Sequence, residues 1–114
     1  MQDCIFCKIV AGDIPSKMIY EDDDVYAFED VTPQAPSHTL IIPKKHIETL
    51  LEIGDEHRDL MGSIILAATR IARKLGIAEK GYRIVTNCNK EGGQVVFHIH
   101  FHLLGGRQMK WPPG

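Results

Sequence analysis

The sequence lacks the features that mark membrane proteins and exported, cross-linked scaffolds. No apolar run among its 114 residues approaches the roughly 20 residues that a bilayer-spanning helix needs. The segment from Met1 to Lys8 does not show the charged and then apolar pattern of a signal peptide. Cysteine is scarce and odd in number, with three in all, which favours a reducing compartment over a disulfide framework. We therefore expect a soluble cytoplasmic protein with no membrane partner.

A concentrated basic surface is also missing. The net charge is −2 and the basic residues are scattered along the chain, whereas proteins that bind nucleic-acid polymers usually carry a basic patch or stripe. Binding of a single nucleotide is compatible with this net charge. The hydrophobic share of 44% and the charged share of 25% are those of an ordinary globular protein. The length favours one domain over residues 1–114.

Hydrophobic periodicity predicts a mixed fold. Residues spaced three and four apart between Leu60 and Leu75 form one apolar stripe, which predicts a long helix over residues 56–75 with Asp55 as its cap. A short helix or turn is predicted over residues 4–11. Five strands are predicted over residues 17–21, 25–29, 38–42, 82–88 and 95–104. Strand pairs with short loops and one main helix indicate an α+β fold on an antiparallel sheet.

The most informative segment carries three histidines at alternate positions: His98, His100 and His102. In an extended strand successive side chains point to opposite faces, so the three imidazoles are expected to share one face. The apolar residues of the opposite, core-facing set are Phe97, Ile99, Phe101 and Leu103. A solvated face does not need side chains that titrate near neutrality. The pattern therefore predicts an active site.

The residues alone leave three interpretations of this strand open. Single histidines are usually structural, but three on one face are hard to explain in that way. The His-x-His spacing also suits a metal, although a hydrolytic metal site needs further ligands and an open position. The third interpretation is phosphoryl transfer, with one imidazole attacking phosphorus and its neighbour binding an oxygen of the same group. Gly92 and Gly93 favour it, since glycine lets backbone N–H groups approach phosphate closely, and Asn87 adds a neutral donor.

Several motifs accompany the histidines: Phe28-Glu29-Asp30, Pro33-Gln34-Ala35-Pro36, Ile42-Pro43-Lys44-Lys45-His46, Gly92-Gly93-Gln94, and the tail from Gly105 to Gly114, which contains Trp111-Pro112-Pro113. With these motifs the chain resembles the histidine triad (HIT) family over nearly its whole length, and specifically the Hint branch of purine nucleoside phosphoramidases. The resemblance implies an antiparallel sheet of about five strands with one long and one short helix. It also implies a homodimer that joins two such sheets, with the tail close to the partner's site.

For the chemistry, the resemblance implies a covalent mechanism. His100 matches the nucleophile that attacks the α-phosphorus of a purine nucleoside 5′-phosphoramidate or aminoacyl-adenylate. The amine then leaves and water releases AMP or GMP, which divides one difficult displacement into two. His102 matches a histidine that contacts the phosphate and stabilises transition-state charge. His98 and His38 match a supporting pair in which the first triad histidine meets a histidine from another strand.

The resemblance also assigns residues to the nucleotide. Asp30 matches the carboxylate that accepts hydrogen bonds from both ribose hydroxyls. The apolar slot for the purine is matched by Phe6, Ile14, Phe28, Val31 and Leu40. The phosphate region is matched by Asn87, Gly93, Gln94 and Val95. Val95 departs from family members with a serine there, so a side-chain proton donor is excluded at that position, and His102, water or a backbone-bound phosphate oxygen must serve instead.

The pair Cys4 and Cys7 has three interpretations. A redox dithiol is disfavoured, because no thioredoxin-like pattern follows it. Two buried cysteines without a role are a second interpretation. The third is half of a tetrahedral zinc site, which the resemblance completes with His46 and His98. A structural zinc would compete with the pairing of His98 and His38, and we expect zinc to prevail where it is bound.

Two other functions remain as alternatives. One is a HIT-family dinucleoside polyphosphate hydrolase or nucleotidyl transferase, against which the Hint-type tail argues. The other is a nucleotide-binding regulatory module with little turnover. A pure binding module has no need for a nucleophile between two other imidazoles, so we favour the phosphoramidase.

Overall fold

The computed structural model describes residues 3–114; Met1 and Gln2, which the predicted domain includes, lie outside the described residues. The helices are α1 (Ile5–Ala11), α2 (Arg58–Lys74) and the single turn α3 (Asn89–Gly92). The strands are β1 (Met18–Glu21), β2 (Val25–Glu29), β3 (Ser37–Pro43), β4 (Tyr82–Thr86) and β5 (Phe101–Gly105). They form one sheet in the order β1-β2-β3-β5-β4, and every pair is antiparallel. The predicted α+β class with a five-stranded antiparallel sheet is confirmed.

The two faces of the sheet bury different helices. On one face α2 packs its stripe, including Ile64 and Ile71, against Ile41, Phe101 and Leu103 of the strands. The opposite face carries a smaller apolar cluster, in which α1 meets β2 and β3: Phe6, Ile9, Tyr26, Phe28, Leu40 and Ile42. Alternation along the strands therefore sends one set of side chains to the main core and the other set toward α1. Within residues 3–114 the helices are all too short or too polar to cross a membrane.

The predicted strand over residues 95–104 is too long at its start. β5 begins at Phe101, and the residues before it leave the sheet. The N–H of Ile99 donates instead to the carbonyl of Ile47 at 2.8 Å. Phe97, predicted to face the core, is 45% exposed. The histidines thus come partly from a strand and partly from an irregular segment held by the loop after β3.

The start of the long helix also differs from the prediction. A 3-10 turn over Asp55–His57 precedes α2, and Asp55 makes no cap. His57, in this turn, is buried, and its Nδ1 accepts from the N–H of Gly54 at 3.0 Å. Apolar periodicity predicts a helix from residue 56. It contains no information about the bond between the His57 side chain and the preceding turn, so it does not predict the 3-10 turn.

Candidate active site

The three histidines face the smaller apolar cluster on the α1 side of the sheet. His102 lies on β5 directly opposite Leu40 of β3. The ring of Phe6, from α1, contacts His98 and His100 edge-on, with centroid distances of 5.8 Å and 5.1 Å. The three histidines therefore share one side, as the alternation predicts, even where the backbone has left the sheet, whereas Phe97 departs from the alternation.

His100 is held in one tautomer by its own chain. Its Nδ1 lies 2.8 Å from the carbonyl oxygen of His98, and a carbonyl can only accept, so Nδ1 carries the proton. The Nε2 atom of the neutral ring is then an unprotonated nitrogen with a free lone pair. The ring is 9% exposed and lines the cavity described below. A buried, oriented imidazole lone pair is the arrangement that a nitrogen nucleophile requires.

His102 forms a chain with His38 that fixes both tautomers. The N–H of Gln34 donates to His38 Nδ1 at 3.0 Å, so the proton of neutral His38 resides on Nε2. That Nε2–H donates to His102 Nδ1 at 2.9 Å. His102 must then carry its own proton on Nε2, which makes it a hydrogen-bond donor beside His100, at a centroid distance of 5.1 Å.

The expected pairing of His38 with His98 is wrong. His38 and His102 lie on neighbouring strands, whereas His98 precedes β5 and is directed toward the N-terminal cysteines. Burial, and then the nearby His100 and His38, lower the pKa of His102 to about 4. Burial also lowers the pKa of His38, against the opposing influence of Asp30, whose Oδ2 lies 3.4 Å from His38 Nε2. Both rings are therefore neutral at pH 7, as the chain of donors requires.

A cavity of about 610 Å³ opens over these histidines. It is lined by eleven of the twelve residues assigned to the nucleotide: Phe6, Ile14, Phe28, Asp30, Val31, Leu40, Asn87, Gly93, Val95, His100 and His102. Its apolar end contains the edge-on pair of Phe6 and Phe28, with centroids 5.6 Å apart. Near the histidines stands Asp30, whose Oδ1 accepts from the N–H of Thr32 at 2.8 Å.

Gln94 does not line this cavity. This corrects the prediction that Gln94 lies against the phosphate of the nucleotide. Its side chain is buried and fully engaged with backbone. Oε1 accepts from the N–H of Asn89 at 2.9 Å, and Nε2 donates to the carbonyls of Glu48 and Val96 at 2.7 Å and 3.1 Å. The amide therefore ties α3 and the loop after β3 to the segment that leads into His98. A glutamine in a motif does not reveal from sequence whether it contacts a ligand or supports a loop.

The structure adds lining residues that the sequence analysis missed: Ile5, Ile9, Pro15, Thr32, Gln34 and Val96. His38, predicted as a supporting histidine, also lines the cavity. Two of the missed residues could have been found, because Ile5 and Ile9 are four residues apart on α1 and share its apolar face with Phe6. The position of Gln34 gave no such signal. Its role comes from the fold of the loop between β2 and β3, which directs its backbone N–H at His38.

Beside the cavity, Cys4, Cys7, His46 and His98 converge with their ligand atoms within 4.8 Å of one another. The two imidazole Nδ1 atoms are 3.3 Å apart, and the sulfur-to-nitrogen distances run from 3.3 to 3.6 Å. A tetrahedral zinc with ordinary bond lengths needs edges of about 3.3 Å between nitrogens and about 3.5 Å between nitrogen and sulfur. These four residues therefore fit a zinc ion.

The orientation of His98 agrees with this fit. Its Nε2 lies 2.8 Å from the carbonyl oxygen of Pro43, so Nε2 carries the proton and Nδ1 presents a lone pair to the cysteines. Burial lowers the pKa of His98 to about 4, which keeps that lone pair available at neutral pH. His98 thus contacts the cluster through its side chain and His100 through its carbonyl.

Comparison with known proteins places this geometry in a family. The family model of the HIT domain matches residues 11–109. The purine nucleoside phosphoramidase of Escherichia coli K12 is 50% identical over 108 residues, which cover 95% of this chain and 91% of the relative. A HIT-like protein of Synechococcus elongatus is 51% identical over 113 residues, 99% of this chain and 98% of the relative.

Solved structures give the same result. A HIT family hydrolase from Legionella pneumophila superposes with a TM-score of 0.97 at 53% identity, covering 98% of this chain and all of that one. A histidine triad protein from Clostridium difficile superposes with a TM-score of 0.94 at 44% identity, covering 96% of each chain. With its triad, its sheet and these relatives in agreement, the chain belongs to the HIT family, within the Hint branch.

Proposed function

We propose that this HIT-family hydrolase cleaves the P–N bond of purine nucleoside 5′-phosphoramidates, and of related aminoacyl-adenylates, and releases AMP or GMP. The observation that carries the proposal is the pair of fixed tautomers in one cavity: an Nε2 lone pair on His100 and an Nε2–H on His102. The likeness to the Escherichia coli phosphoramidase supports the choice of substrate. Hydrolysis of a phosphorus centre needs both a nucleophile and a donor at the same group.

Substrate binding follows from the two ends of the cavity. The purine lies in the apolar end, against Phe6, Phe28 and Leu40. Asp30 has acceptor oxygens only, so it receives hydrogen bonds from the ribose hydroxyls. The α-phosphate then falls between His100, His102 and Gly93, where glycine lets the backbone come close to phosphate oxygens.

In the first step His100 Nε2 attacks the α-phosphorus, forming an N–P bond while the bond from phosphorus to the amine breaks. His102 is neutral at pH 7, because its pKa is about 4. Its Nδ1 accepts from His38, so its one proton lies on Nε2 and donates a hydrogen bond to a non-bridging oxygen. The amine takes its proton from water at the open mouth of the cavity, since Val95 offers no side-chain donor. The carbonyl of His98 faces the Nδ1–H of His100 and stabilises the positive charge that the ring acquires.

In the second step a water molecule attacks the phosphorus and the bond to His100 breaks. The water proton passes to solvent, and the nucleoside monophosphate leaves. His100 returns to its starting tautomer, because its Nδ1–H donates to the carbonyl of His98 throughout.

Intact-protein mass spectrometry tests this proposal. Protein is quenched without acid during turnover of adenosine 5′-phosphoramidate, with wild type and His100→Ala compared side by side. We expect one added adenylyl group on the wild type and none on the variant, while His100→Ala still binds AMP. AMP release from dinucleoside polyphosphates, with none from the phosphoramidate, would refute the assigned substrate in favour of the other HIT hydrolases.

We further propose that Cys4, Cys7, His46 and His98 hold a structural zinc. When bound, the ion supplies a rigid link between α1 and the segment that carries His100. Metal analysis of protein purified without chelator should find one zinc per chain. Cys7→Ser should lower that content, whereas Cys88→Ser, a cysteine outside the cluster, should retain it. Equal zinc content in wild type and Cys7→Ser would refute the site.

The remaining part of the proposal is a homodimer of one-domain chains. It is supported by exposed apolar side chains on α2 and in the tail, where Leu66 is 57% and Trp111 is 81% exposed. β4 also lies at an edge of the sheet, with one side of its backbone unpaired by another strand among the described residues. Sedimentation equilibrium should give twice the mass of the 114-residue chain; a monomer at micromolar concentration would refute this part.

A further inference from the structure

The loop between β2 and β3, residues 30–36, directs one backbone N–H group into the active site. The N–H of Gln34 donates to His38 Nδ1 at 3.0 Å, and the Nε2–H of His38 donates to His102 Nδ1 at 2.9 Å. The proton that His102 offers on Nε2 therefore depends on a main-chain group that lies two hydrogen bonds away.

The opposite tautomers of these two rings would remove that donor. If the Gln34 N–H turned away, neutral His38 could hold its proton on Nδ1 and accept on Nε2. His102 would then donate from Nδ1 and present a lone pair from Nε2 to the phosphate. Asp30 opposes this exchange, since its Oδ2 lies 3.4 Å from His38 Nε2, but in the proposed complex its oxygens also accept from the ribose. The Gln34 N–H is the constraint for which the substrate does not compete.

Gln34 lies between two residues whose backbones are restricted by proline. The ring of Pro33 fixes the φ of that residue, and Pro36 keeps Ala35 extended. The side chain of Gln34 donates within the loop, to the carbonyl of Thr32 at 3.0 Å. Rotation about the bonds of Gln34 itself is therefore the motion that would turn its N–H away from His38.

Two residues directly after β5 contact this loop from outside. Arg107 Nε donates to the carbonyl of Gln34 at 3.2 Å, and its guanidinium is also held by the carbonyl of Gln108 at 3.3 Å. Gly106 packs against Pro36 so closely that a Cβ on it would lie 2.9 Å from the Pro36 Cβ, and its φ is 91°. Glycine alone combines this φ with so close an approach at little cost. The end of β5 thus supports the loop on both sides of Ala35.

We propose that Gly106 and Arg107 are a positioning pair for the histidines: they hold the Gln34 N–H on His38 and thereby keep the proton of His102 on Nε2, facing the phosphate. The inference rests on the proposed phosphoramidase function and adds two residues to it that act through others. Neither residue of the pair lines the active-site cavity. The N–H and the carbonyl of Gln34 flank one Cα, so a bond to the carbonyl limits the rotation that would turn the N–H.

The first test is spectroscopic and uses no substrate. Proton–nitrogen correlation spectra of protein with isotope-labelled histidines distinguish the protonated nitrogen of each ring from the unprotonated one. The wild type should show one tautomer for His38 and for His102 at neutral pH, with the proton on Nε2, and Arg107→Ala should show mixed tautomers for both. Arg70→Ala is the matched control, because Arg70 donates to the hydroxyl of Tyr20 at 3.1 Å at the β1 edge of the sheet; its spectrum should equal that of the wild type.

The second test is kinetic and separates positioning from binding. Arg107→Ala should lower kcat for adenosine 5′-phosphoramidate about fivefold, the factor that one hydrogen bond typically contributes. Its Kd for adenosine, which lacks the phosphate, should stay at the wild-type value. Arg107→Lys keeps the charge and one donor but not the planar fork, so it should recover part of the loss.

Gly106→Ala tests the other half of the pair and should lower kcat by about the same factor, because the added Cβ displaces the loop at Pro36. Gly76→Ala is its control. Gly76 also has a positive φ, of 75°, but a Cβ there would meet nothing within 4 Å, so the variant carries a similar backbone strain without a contact to the loop. Its kcat should equal that of the wild type.

Mixed tautomers without a loss of kcat, a loss of kcat without mixed tautomers, or neither change in Arg107→Ala and Gly106→Ala would overturn the positioning role. Equal losses of kcat in Arg107→Ala and Arg70→Ala would do the same. Failure of the wild type to hydrolyse the phosphoramidate would instead overturn the proposed function. The spectra would still show in that case whether the pair fixes the tautomers, because they are recorded without substrate.

Discussion

Replacing Gln94 by glutamate tests whether this buried side chain holds the segment that leads to the histidines. The substitution keeps the size and the acceptor that faces the N–H of Asn89. It removes the two donors and directs a carboxylate oxygen at the carbonyls of Glu48 and Val96, at the positions where Nε2 now lies 2.7 Å and 3.1 Å away. Two acceptors then face each other in a buried site, which is strongly unfavourable for the ionised form.

The magnitude is limited by protonation. The folded protein can avoid the buried charge by raising the pKa of the introduced carboxyl group well above the ordinary value of about 4.3 for glutamate. Holding that group protonated at pH 7 costs at most about 3.7 kcal/mol, and the lost hydrogen bond adds about 1 kcal/mol. Because the folded state then binds more protons than the unfolded state, stability falls as pH rises from about 4.3 toward the folded pKa. At pH 5 the cost of protonation drops to about 1 kcal/mol.

The assay is urea denaturation of wild type, Gln94→Glu and Gln94→Ala at pH 7 and pH 5. We expect the difference in free energy of unfolding between wild type and Gln94→Glu to shrink by about 2 to 3 kcal/mol at the lower pH. The difference for Gln94→Ala should change little, because alanine does not titrate. If the difference in free energy of unfolding between wild type and Gln94→Glu does not depend on pH, the side chain is solvated. That result would refute its role as a buried support for the loop.

Two further predictions concern His102 and Gly105. The pKa of His102 is about 4 in the folded protein against the ordinary 6.5, so its contribution to stability is complete above pH 6.5 and is lost as pH falls toward 4. Urea midpoints should show that His102→Asn removes about 2 kcal/mol of the stability difference between pH 7 and pH 5; an identical difference in wild type and variant contradicts this. Gly105→Ala should destabilise the protein by about 1 to 3 kcal/mol, since its Cβ would lie 2.7 Å from Cδ1 of Ile77. Gly62→Ala, in open space on α2, should instead stabilise it by about 0.5 to 1 kcal/mol, and equal thermal shifts for the two would contradict the packing argument.

Local patterns account for most of the fold. β2 over Val25–Glu29 and β3 over Ser37–Pro43 follow from runs of apolar and β-branched residues bounded by turn residues. α2 follows from a stripe of apolar residues at helical spacing, and its end near Gly76 is marked by a positive φ of 75°, which glycine adopts without strain. These signals can be read from the sequence because each apolar pattern repeats within a few residues, every second residue in a strand and every third or fourth in a helix.

Contacts between distant segments could not be predicted in the same way. The alternation of the histidines shows that they share a face, but not which neighbour each one meets. The partner of His38 is His102, 64 residues away in sequence, because β3 and β5 lie side by side in the sheet. Gln94 carried no sequence signal of its support role, since the carbonyl of Glu48 comes near it only after the loop beyond β3 has folded.

Motifs and side-chain alternation along the chain were enough to predict the family, the antiparallel sheet, and most of the residues that line the cavity over the histidines. The folded arrangement was needed to establish which nitrogen of each histidine carries a proton, where Phe97 lies, and that the two cysteines and two histidines meet at distances that suit zinc. The physical reason is the same in each case. Hydrogen-bond direction and ligand geometry depend on atoms from separate segments, and only the folded chain brings those atoms to within a few ångströms.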